Sequence, residues 1–516
     1  MTEVLLGIDV GTGSTKGLLS TPEGSIVART VRDHRLSLPR PGWAEMDAES
    51  IWWGEIVGIS RELAGSADHD GHKITGVCVS GLGPCVLPTD ADGRPLRPAI
   101  MYGIDMRSSA EIDELTERYG NDEIFRRCGK VLSSQAVGPK LAWIRHNEPD
   151  VWDSTRKIFN SNSWLAYRLT GSYVADHQTA SQSDPLYDIK ARDWNHDWAA
   201  DLAPDVELPR LVWPTEVIGT VTAQAAAETH LPEGTPVSAG TIDAWSEAFG
   251  AGVRRTGDLM LMYGSTMFFV QVLGEYAAHD MLWTTNGVDR DQYTLAAGMA
   301  TSGSLTQWLQ QLTGDADFST LVDEARKIPA GSDGLLMLPY FAGERTPIFD
   351  PRARGVVAGL SLRHQRGHLF RAAYEGIAYG IRQIVGFLGE IEQGEFERGE
   401  VERGEAEQDK AARRLVAVGG GTQGGLWTQI VSDVTGLPQD VPAETVGAAY
   451  GDALMAAIGT GLVSADTDWA RVEQTVEPNP DNHEVYQELF EAYGRLYTST
   501  RDDVHRLAEL QERAAE

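Results

Sequence analysis

Glycines, hydroxyl side chains and two charged residues are concentrated in one short segment near the start of the chain. The segment 7–16 has the sequence GIDVGTGSTK, in which Asp9 ends a strand pattern and Lys16 follows the glycines. Glycine lets backbone N–H groups approach a phosphate closely, and hydroxyls and a cation add further contacts. The spacing differs from G-x-x-x-x-G-K-S/T and a strand pattern follows the turn, so a Walker-type phosphate loop is disfavoured. A plain turn is the structural alternative.

A second hairpin of the same kind lies about half a chain later. Strand patterns at 259–263 and 267–272 flank a turn that begins with Gly264 and Ser265. The recurrence indicates a duplicated fold and favours a clamp that holds phosphates from two sides.

A second candidate carboxylate is Asp243, in the segment SAGTIDAW at 238–245. It follows a strand pattern at the point where a helix pattern begins, and aspartate there is a favoured helix cap. The functional alternative is a base, because a hydroxyl that attacks phosphorus must be oriented and must lose its proton. In that case Asp9 serves the metal side of the site and Asp243 serves the acceptor.

A late glycine run, GGGTQG at 419–424, supports a rival function. It matches G-x-G-x-x-G, follows the apolar strand pattern 415–418 and precedes a helix pattern from Leu426, as in dinucleotide-binding units. No clear acidic residue ends a following strand, because Asp440 lies in a Pro-flanked segment at 437–442. We therefore interpret the run as backbone placed against an adenosine. An NAD-dependent oxidoreductase and an actin-like ATPase are the alternative functions.

The elements that must position these residues alternate between strand and helix patterns, which predicts an α/β fold. Strands are predicted at 4–9, 15–20, 25–31 and 73–79, and amphipathic helices at 49–63 and 369–388. A chain of 516 residues is too long for one ordinary core, so two domains with a ligand cleft between them are expected. The glycine-rich junction at 250–252 is the predicted boundary and hinge, giving domains 1–250 and 251–516.

Composition excludes several classes of function. The chain has 44 Lys and Arg against 75 Asp and Glu, and its net charge of −31 repels nucleic acid and anionic membrane surfaces. No apolar run is long enough to span a membrane and the first residues do not resemble a signal peptide, so a cytoplasmic protein is expected. Three cysteines without C-x-x-C spacing, Cys78, Cys85 and Cys128, are expected to be free thiols. The charged, quasi-repetitive stretch at about 389–414 is predicted to be an exposed insertion without chemistry.

Together these segments resemble the FGGY carbohydrate kinases, the family of xylulokinases, glycerol kinases and ribulokinases. The resemblance runs from about residue 4 to residue 462. Beside the segments above, it is carried by PGWAEMD at 41–47, KLAW at 140–143, YRLTG at 167–171, and GVVAGL at 355–360 leading into HLFRAAYE at 368–375.

The resemblance implies an α/β fold of two actin-like (ribonuclease H-like) domains with a nucleotide and sugar cleft between them. It implies ATP with Mg²⁺ as the donor and transfer of the γ-phosphoryl group to a hydroxyl of a small sugar or polyol. The sugar would lie on the domain 1–250 and the adenosine on the domain 251–516, which ends in a helix. The match is nearest to the xylulokinase-like branch, which favours an uncharged pentulose such as xylulose over glycerol, a hexulose or an aldonate. Association into a homo-oligomer stays open.

The resemblance also assigns roles to single residues. Asp243 falls at the catalytic base, and Asp9 falls at the acidic residue that addresses the phosphates and the metal, directly or through a water molecule. The implied nucleotide contacts are Thr12, Gly13, Ser14, Lys16, Ser265, Gly303, Gln307, Gly420 and Gly424. The acceptor contacts are Gly83, Pro84, Asp105 and Asp243.

The acceptor segment departs from the family patterns. Xylulokinases have Met-His and glycerol kinases have Arg-Glu where this chain has Gly83-Pro84. Neither residue offers a side-chain donor or acceptor, so the missing sugar contact must come from elsewhere. Asp105, Arg107 and Asp243 are candidates, although Asp105 and Arg107 could equally form a structural ion pair.

We expect stability and activity to rise with salt into the molar range, as in a protein from a salt-rich cytoplasm. The net charge of −31 repels itself until added salt shortens the Debye length to about 3 Å at 1 M. Thermal melts and turnover measured across KCl concentrations check this. A melting temperature that is flat or falls with KCl would contradict it.

Overall fold

The structure of the protein is a computed structural model, and it describes residues 2–393, 414–444 and 447–515. Most of the insertion predicted at 389–414 therefore lies outside the described residues. Its first part, up to residue 393, continues a long helix. No helix in the described ranges is both long enough and apolar enough to cross a membrane.

The N-terminal half contains fourteen strands and ten α-helices among the described residues, with a π-helical turn at Ala48–Trp53. The strands are β1 (Thr2–Val10), β2 (Ser14–Ser20), β3 (Ile26–Asp33), β4 (Glu45–Met46), β5 (His72–Gly81), β6 (Leu87–Thr89), β7 (Ala99–Ile100), β8 (Lys157–Phe159), β9 (Val174–Asp176), β10 (Tyr187–Asp188), β11 (Asp193–Trp194), β12 (Arg210–Val212), β13 (Val217–Thr220) and β14 (Pro236–Ser238). The helices are α1 (Gly54–Asp70), α2 (Ser109–Tyr119), α3 (Asn121–Cys128), α4 (Val137–Asn147), α5 (Pro149–Ser154), α6 (Ser161–Thr170), α7 (His177–Ala180), α8 (His196–Leu202), α9 (Ala223–Thr229) and α10 (Asp243–Gly250).

The C-terminal half has longer helices. Its strands are β15 (Leu259–Tyr263), β16 (Met267–Leu273), β17 (Trp283–Asn286), β18 (Tyr293–Met299), β19 (Leu336–Leu338), β20 (Val356–Ala358), β21 (Leu415–Val418), β22 (Gln439–Pro442) and β23 (Val472–Val476). Its α-helices are α11 (Gly303–Leu312), α12 (Phe318–Arg326), α13 (Arg366–Gln393), α14 (Leu426–Thr435), α15 (Ala448–Gly459) and α16 (His483–Ala515). Short 3₁₀ turns lie at Ser332–Gly334, Gly420–Thr422 and Pro480–Asn482.

The two halves repeat one sheet pattern. A six-stranded sheet has the order β13-β14-β5-β1-β2-β3, and a seven-stranded sheet has the order β17-β18-β16-β15-β21-β22-β23. In the first, β1 pairs antiparallel with β2 and parallel with β5, and in the second, β15 pairs antiparallel with β16 and parallel with β21. The predicted α/β class and the duplicated hairpins are confirmed.

Most element predictions are close to the observed bounds, and two differ. The helix predicted at 49–63 begins as a π-helical turn before α1 continues to Asp70. The Pro-flanked segment around Asp440 was not predicted to be a strand, but residues 439–442 form β22, paired parallel with β21. The three cysteines are buried free thiols, as expected.

Helices α10 and α15 lie between the two sheets, in backbone contact with each other. A Cβ on Gly451 of α15 would lie 1.9 Å from the carbonyl oxygen of Ser246 in α10, and a Cβ on Gly7 of β1 would lie 1.9 Å from that of Ala449. A core that includes Leu5, Met260 and Val416 packs around these helices and joins both sheets. The chain leaves α10 at Gly250, and the hinge predicted at 250–252 stays a prediction.

We expect Gly451→Ala to destabilise the protein by about 1–3 kcal/mol, because its methyl group overlaps the backbone of α10. Gly58→Ala is the matched control: Gly58 lies inside α1, and a Cβ there meets nothing within 4 Å. Alanine at Gly58 should be neutral or stabilise by roughly 0.5–1 kcal/mol. Melting temperatures of the two variants check this, and equal shifts would contradict the close contact of α10 with α15.

Candidate active site

Four carboxylates meet where β1, α10 and α15 come together. Asp9 is on β1, Asp243 and Glu247 lie one turn apart on α10, and Asp452 is on α15. The hydroxyl of Ser80 lies 2.6 Å from Asp452 Oδ2 and 3.5 Å from Asp9 Oδ1, so it joins two members of the cluster. The negative charge of Asp9 raises the pKa of each of the other three carboxylates. The elements thus bring the two sequence-predicted carboxylates, Asp9 and Asp243, into one site.

Burial dominates the titration of this cluster. Burial raises the pKa of Asp9 to about 6, although Lys16, the Ser80 hydroxyl and His34 act in the opposite direction. Burial, followed by repulsion from Asp9, raises the pKa of Glu247 to about 7 and raises that of Asp243 well above its ordinary value. Lys16 lowers the pKa of all three groups. One lysine facing several carboxylates leaves excess negative charge, which favours binding of a cation.

A tight turn delivers Asp243 to the cluster. Gly240 has φ of +69°, and a Cβ there would lie 2.0 Å from the carbonyl oxygen of Val79, so only glycine fits. The N-cap of α10 is Ile242, and Asp243 is the first helical residue. The Asp243 carboxylate accepts a hydrogen bond only from its neighbour, the Ala244 N–H at 2.8 Å, among the described residues. A simple N-cap role is therefore not what the structure shows.

The first hairpin presents unpaired backbone donors at its tip. The Gly11 N–H donates to the Ser14 carbonyl at 3.0 Å, and the His34 N–H donates to the Gly13 carbonyl at 3.1 Å. In the described part of the chain, the N–H groups of Thr12 and Gly13 have no intramolecular acceptor. Such a concave run of free N–H groups is a common phosphate-binding arrangement.

Side chains brace this hairpin from two directions. His34 Nε2 lies 3.0 Å from the Gly11 carbonyl oxygen, and its Nδ1 lies 2.9 Å from Glu55 Oε2. On the other side, the Thr12 hydroxyl lies 2.7 Å from the hydroxyl of Tyr102. The tip is therefore held in place before any ligand arrives.

The second hairpin is fixed by the start of α11. The N–H groups of Gly303 and Ser304 donate at 3.0 Å to the carbonyls of Gly264 and Ser265, respectively. A Cβ on Gly303 would lie 2.6 Å from the Gly264 oxygen, so glycine is required for this approach. Ser265 is exposed at the tip, and Gln307 is exposed one turn into α11.

The late glycine run packs against the second hairpin. Gly419 has φ of +90°, and a Cβ there would lie 2.7 Å from the Tyr263 carbonyl oxygen. Gly420 and Gly424 are exposed after β21, and the Gly424 carbonyl accepts a hydrogen bond from Arg326 at 2.6 Å.

The acid that a dinucleotide unit would need is already occupied. Asp440 Oδ2 accepts a hydrogen bond from Arg414 Nε at 2.9 Å, and its Oδ1 accepts one from the Thr475 hydroxyl at 2.8 Å. An acid committed in this way is poorly placed for a ribose, which weighs against the oxidoreductase alternative.

On the acceptor side, Asp105 and Arg107 form the structural pair that was one of the two alternatives. Asp105 is fully buried and contacts Arg107 through three nitrogen–oxygen pairs of 2.7–3.0 Å. Its Oδ2 also accepts the Ala44 N–H at 2.7 Å, and Arg107 Nη1 donates to Glu45 at 2.7 Å. Both carboxylate oxygens of Asp105 accept hydrogen bonds inside the protein, which weighs against the predicted acceptor contact of Asp105.

Gly83 and Pro84 lie in a tightly packed part of the N-terminal domain. A Cβ on Gly83 would lie 2.9 Å from the side chain of Ile242, and Pro84 is buried. A side chain at position 83 would require the side chain of Ile242 to shift.

Four residues of this site were not predicted. Glu247 follows Asp243 by four residues on the same face of α10, a spacing that could have revealed it. Asp452, Tyr102 and Arg345 carry no local signal. Burial raises the pKa of Tyr102, and of the charges that act on its hydroxyl Asp243 raises this pKa and Arg345 lowers it.

We expect Asp9→Asn to stabilise the free protein more at pH 8 than at pH 4.5. Because the pKa of Asp9 rises from 3.8 to about 6 on folding, the folded state holds the proton more tightly and stability falls as pH rises through that window. The neutral amide removes this loss, of which about 2 kcal/mol falls between the two pH values. Melting temperatures at both pH values check it, with the exposed Asp33→Asn as control. A difference between variant and wild type that does not change with pH would contradict the buried charge.

The chain matches known proteins over almost its whole length. The N-terminal domain model of the FGGY family of carbohydrate kinases matches residues 4–250, and the C-terminal domain model matches residues 259–460. The xylulose kinase of Lactococcus lactis subsp. lactis (strain IL1403) is 26% identical over 515 residues, which cover 98% of this chain and 99% of the relative. The glycerol kinase of Nocardia farcinica (strain IFM 10152) is 29% identical over 489 residues, which cover 91% of this chain and 93% of the relative.

A solved structure shows the same architecture. The crystal structure of xylulose kinase from Rhodospirillum rubrum superposes with a TM-score of 0.86 at 32% identity, covering 97% of this chain and 100% of that chain. The two α/β halves are the two actin-like domains of that fold. The chain therefore belongs to the FGGY family of carbohydrate kinases, phosphotransferases that act on an alcohol group.

Proposed function

We propose that the protein transfers the γ-phosphoryl group of ATP to a hydroxyl of a small uncharged ketose, and that this ketose is a pentulose such as xylulose. One observation carries the proposal: the carboxylate of Asp243 stands in the same cluster as Asp9, next to a hairpin tip with free N–H groups. This arrangement offers a base for the acceptor hydroxyl beside a place for the phosphates. The relatives named xylulose kinase support the choice of a pentulose.

Asp243 is the base in this proposal. A general base works best when its pKa approaches the working pH, and burial together with Asp9 raises the pKa of Asp243 well above that of an ordinary aspartate. The contact with the Ala244 N–H fixes the carboxylate, leaving it to orient the acceptor hydroxyl and take its proton.

Asp9 and the two hairpins hold the donor. Thr12, Gly13, Ser14 and Lys16 on the first hairpin and Ser265 on the second would contact the phosphates. Gly303, Gln307, Gly420 and Gly424 would lie along the rest of the nucleotide. In this proposal the sugar would lie on the domain 1–250 and the adenosine on the domain 251–516.

The residues present fit Mg²⁺. No group of three or more His, Cys, Asp or Glu residues is arranged to hold a metal by itself in the described part of the chain. Mg²⁺ in nucleotide sites takes one or two carboxylates with waters and phosphate oxygens, and the buried, cation-poor Asp9 suits that need directly or through water. When bound, the ion neutralises charge that develops on the phosphates.

A polyol acceptor is the second candidate function. The glycerol kinase of Nocardia farcinica matches the chain at 29% identity, so a smaller acceptor must be tested beside ketoses. Because the reaction consumes ATP, we also infer a cytoplasmic location.

We expect Asp243→Asn to lower acceptor-dependent turnover by about 10²–10⁴-fold while ATP still binds, because an amide keeps the shape but cannot take the proton. ATP turnover with and without a panel of pentuloses, hexuloses, polyols and aldonates measures the loss, and calorimetry measures ATP binding. Asp122→Asn, at an exposed position in the first turn of α3, is the matched control.

Three results would contradict the proposal. Near-normal turnover by Asp243→Asn at saturating sugar would show that Asp243 is not the catalytic base. ATP hydrolysis that no acceptor stimulates would favour an ATPase, and an absorbance change with NAD would favour a dehydrogenase.

A further inference from the structure

Arg345 is a partly buried arginine of the C-terminal half of the chain. It follows Glu344 in the sequence GERTP at 343–347, between β19 and β20. Its guanidinium carbon lies 5.8 Å from the ring centroid of Trp283, which stacks on Phe268, and the ring of Phe268 lies 5.8 Å from that of Trp245 on α10. The pKa of Tyr102 agrees with this placement: burial raises it, Asp243 raises it further and Arg345 lowers it. Arg345 therefore lies near the first turn of α10, the turn that carries Asp243.

The guanidinium of Arg345 has more donors than partners. Arginine carries five N–H donors, and in the described part of the chain this one makes a single side-chain hydrogen bond, from Nη2 to the Met299 carbonyl at 3.3 Å. It forms no ion pair there: its neighbour Glu344 accepts the N–H groups of Ala300 at 2.6 Å and of Arg345 itself at 2.8 Å, both on Oε1, and Glu344 Oε2 has no hydrogen-bond partner. A partly buried cation with unmatched donors is costly unless a ligand supplies oxygens.

The protein makes room for this side chain and fixes its loop. A Cβ on Gly298 would lie 3.2 Å from Arg345 Nη2, so glycine leaves space for the guanidinium. The loop closes through paired backbone hydrogen bonds of 2.9 Å between Glu344 and Asp350. Asp350 in turn accepts the Tyr497 hydroxyl at 3.0 Å and contacts His505 at 2.6 Å, both on α16. The arginine is thus held on a rigid support.

The other candidates for the missing sugar contact are already committed. Gly83 and Pro84 offer no side-chain donor, and Asp105 and Arg107 are bound to each other with both side chains fully buried. Asp243 is needed for the reacting hydroxyl. Among the positions weighed for this contact, none supplies a free donor.

We propose that Arg345 binds the acceptor, donating to the oxygens beside the hydroxyl that Asp243 deprotonates. This inference rests on the proposed function and names the residue that replaces the contact absent from Gly83-Pro84. The fork of a guanidinium suits two neighbouring oxygens, such as the carbonyl and adjacent hydroxyl of a ketose, better than a single hydroxyl. The second domain thus helps to select the sugar.

The test is steady-state kinetics of Arg345→Met and Arg345→Lys with the best acceptor of the panel. We expect Arg345→Met to raise the KM for the sugar by about 10–100-fold, with the KM for ATP within about twofold of wild type. The KM of Arg345→Lys for the sugar should lie between those of wild type and Arg345→Met, because a lysine keeps the positive charge but not the forked pair of donors. Arg354→Met is the matched control: Arg354 lies on the same loop but bonds to Gln511 of α16. It should leave both KM values unchanged.

Melting temperatures of all variants verify folding, and Arg345→Gln serves if Arg345→Met does not fold. An unchanged KM for the sugar in an active Arg345 variant would overturn this inference and leave the proposed function intact. A loss confined to kcat, or an equal rise of both KM values, would also overturn it, because the arginine would then act on the phosphoryl group or on the fold. If the wild-type protein turned over no sugar at all, the proposed function would fall and this assignment with it.

Discussion

The close packing of α10 and α15 against β1 is the constraint on which the site depends. Glycines at 7 and 451 let backbones touch, and this contact forces carboxylates from three distant parts of the chain into one buried cluster. Each carboxylate there raises the free energy of the unliganded fold, since burial and mutual repulsion oppose ionisation. A cluster of carboxylates whose pKa values are raised in this way is a strong candidate for a functional site. In this chain it lies where two duplicated domains meet.

The duplication divides the work between the domains. Each domain presents a β-hairpin tip, one supported by His34 and the other by the N-terminus of α11. The N-terminal domain contributes Asp9 and Asp243, whereas the C-terminal domain contributes Asp452 and, on our inference, the sugar contact from Arg345. Phosphoryl transfer is largely a matter of positioning and electrostatics, so a rigid cluster between two supports is well suited to it.

Local patterns predicted the parts of this site that are local. The first hairpin, the turn before Asp243 and the late glycine run are each contiguous, so their strand and turn signals could be recognised in the sequence. Asp452 could not be found in this way, because it is 372 residues from the Ser80 that it contacts and lies in an otherwise apolar helix. Arg345 likewise depends on tertiary packing. The roles of Asp105 and Arg107 depend on it too, because these charged residues beside a pocket segment satisfy each other inside the domain.

The central claim is that a phosphoryl group crosses this cleft to a sugar hydroxyl. ³¹P NMR of the protein with ATP, Mg²⁺ and xylulose tests it directly. The account predicts that the γ-phosphate signal of ATP is replaced by an equal amount of a sugar phosphomonoester, with no matching growth of inorganic phosphate. Inorganic phosphate that accumulates at the same rate with and without any acceptor of the panel would contradict it.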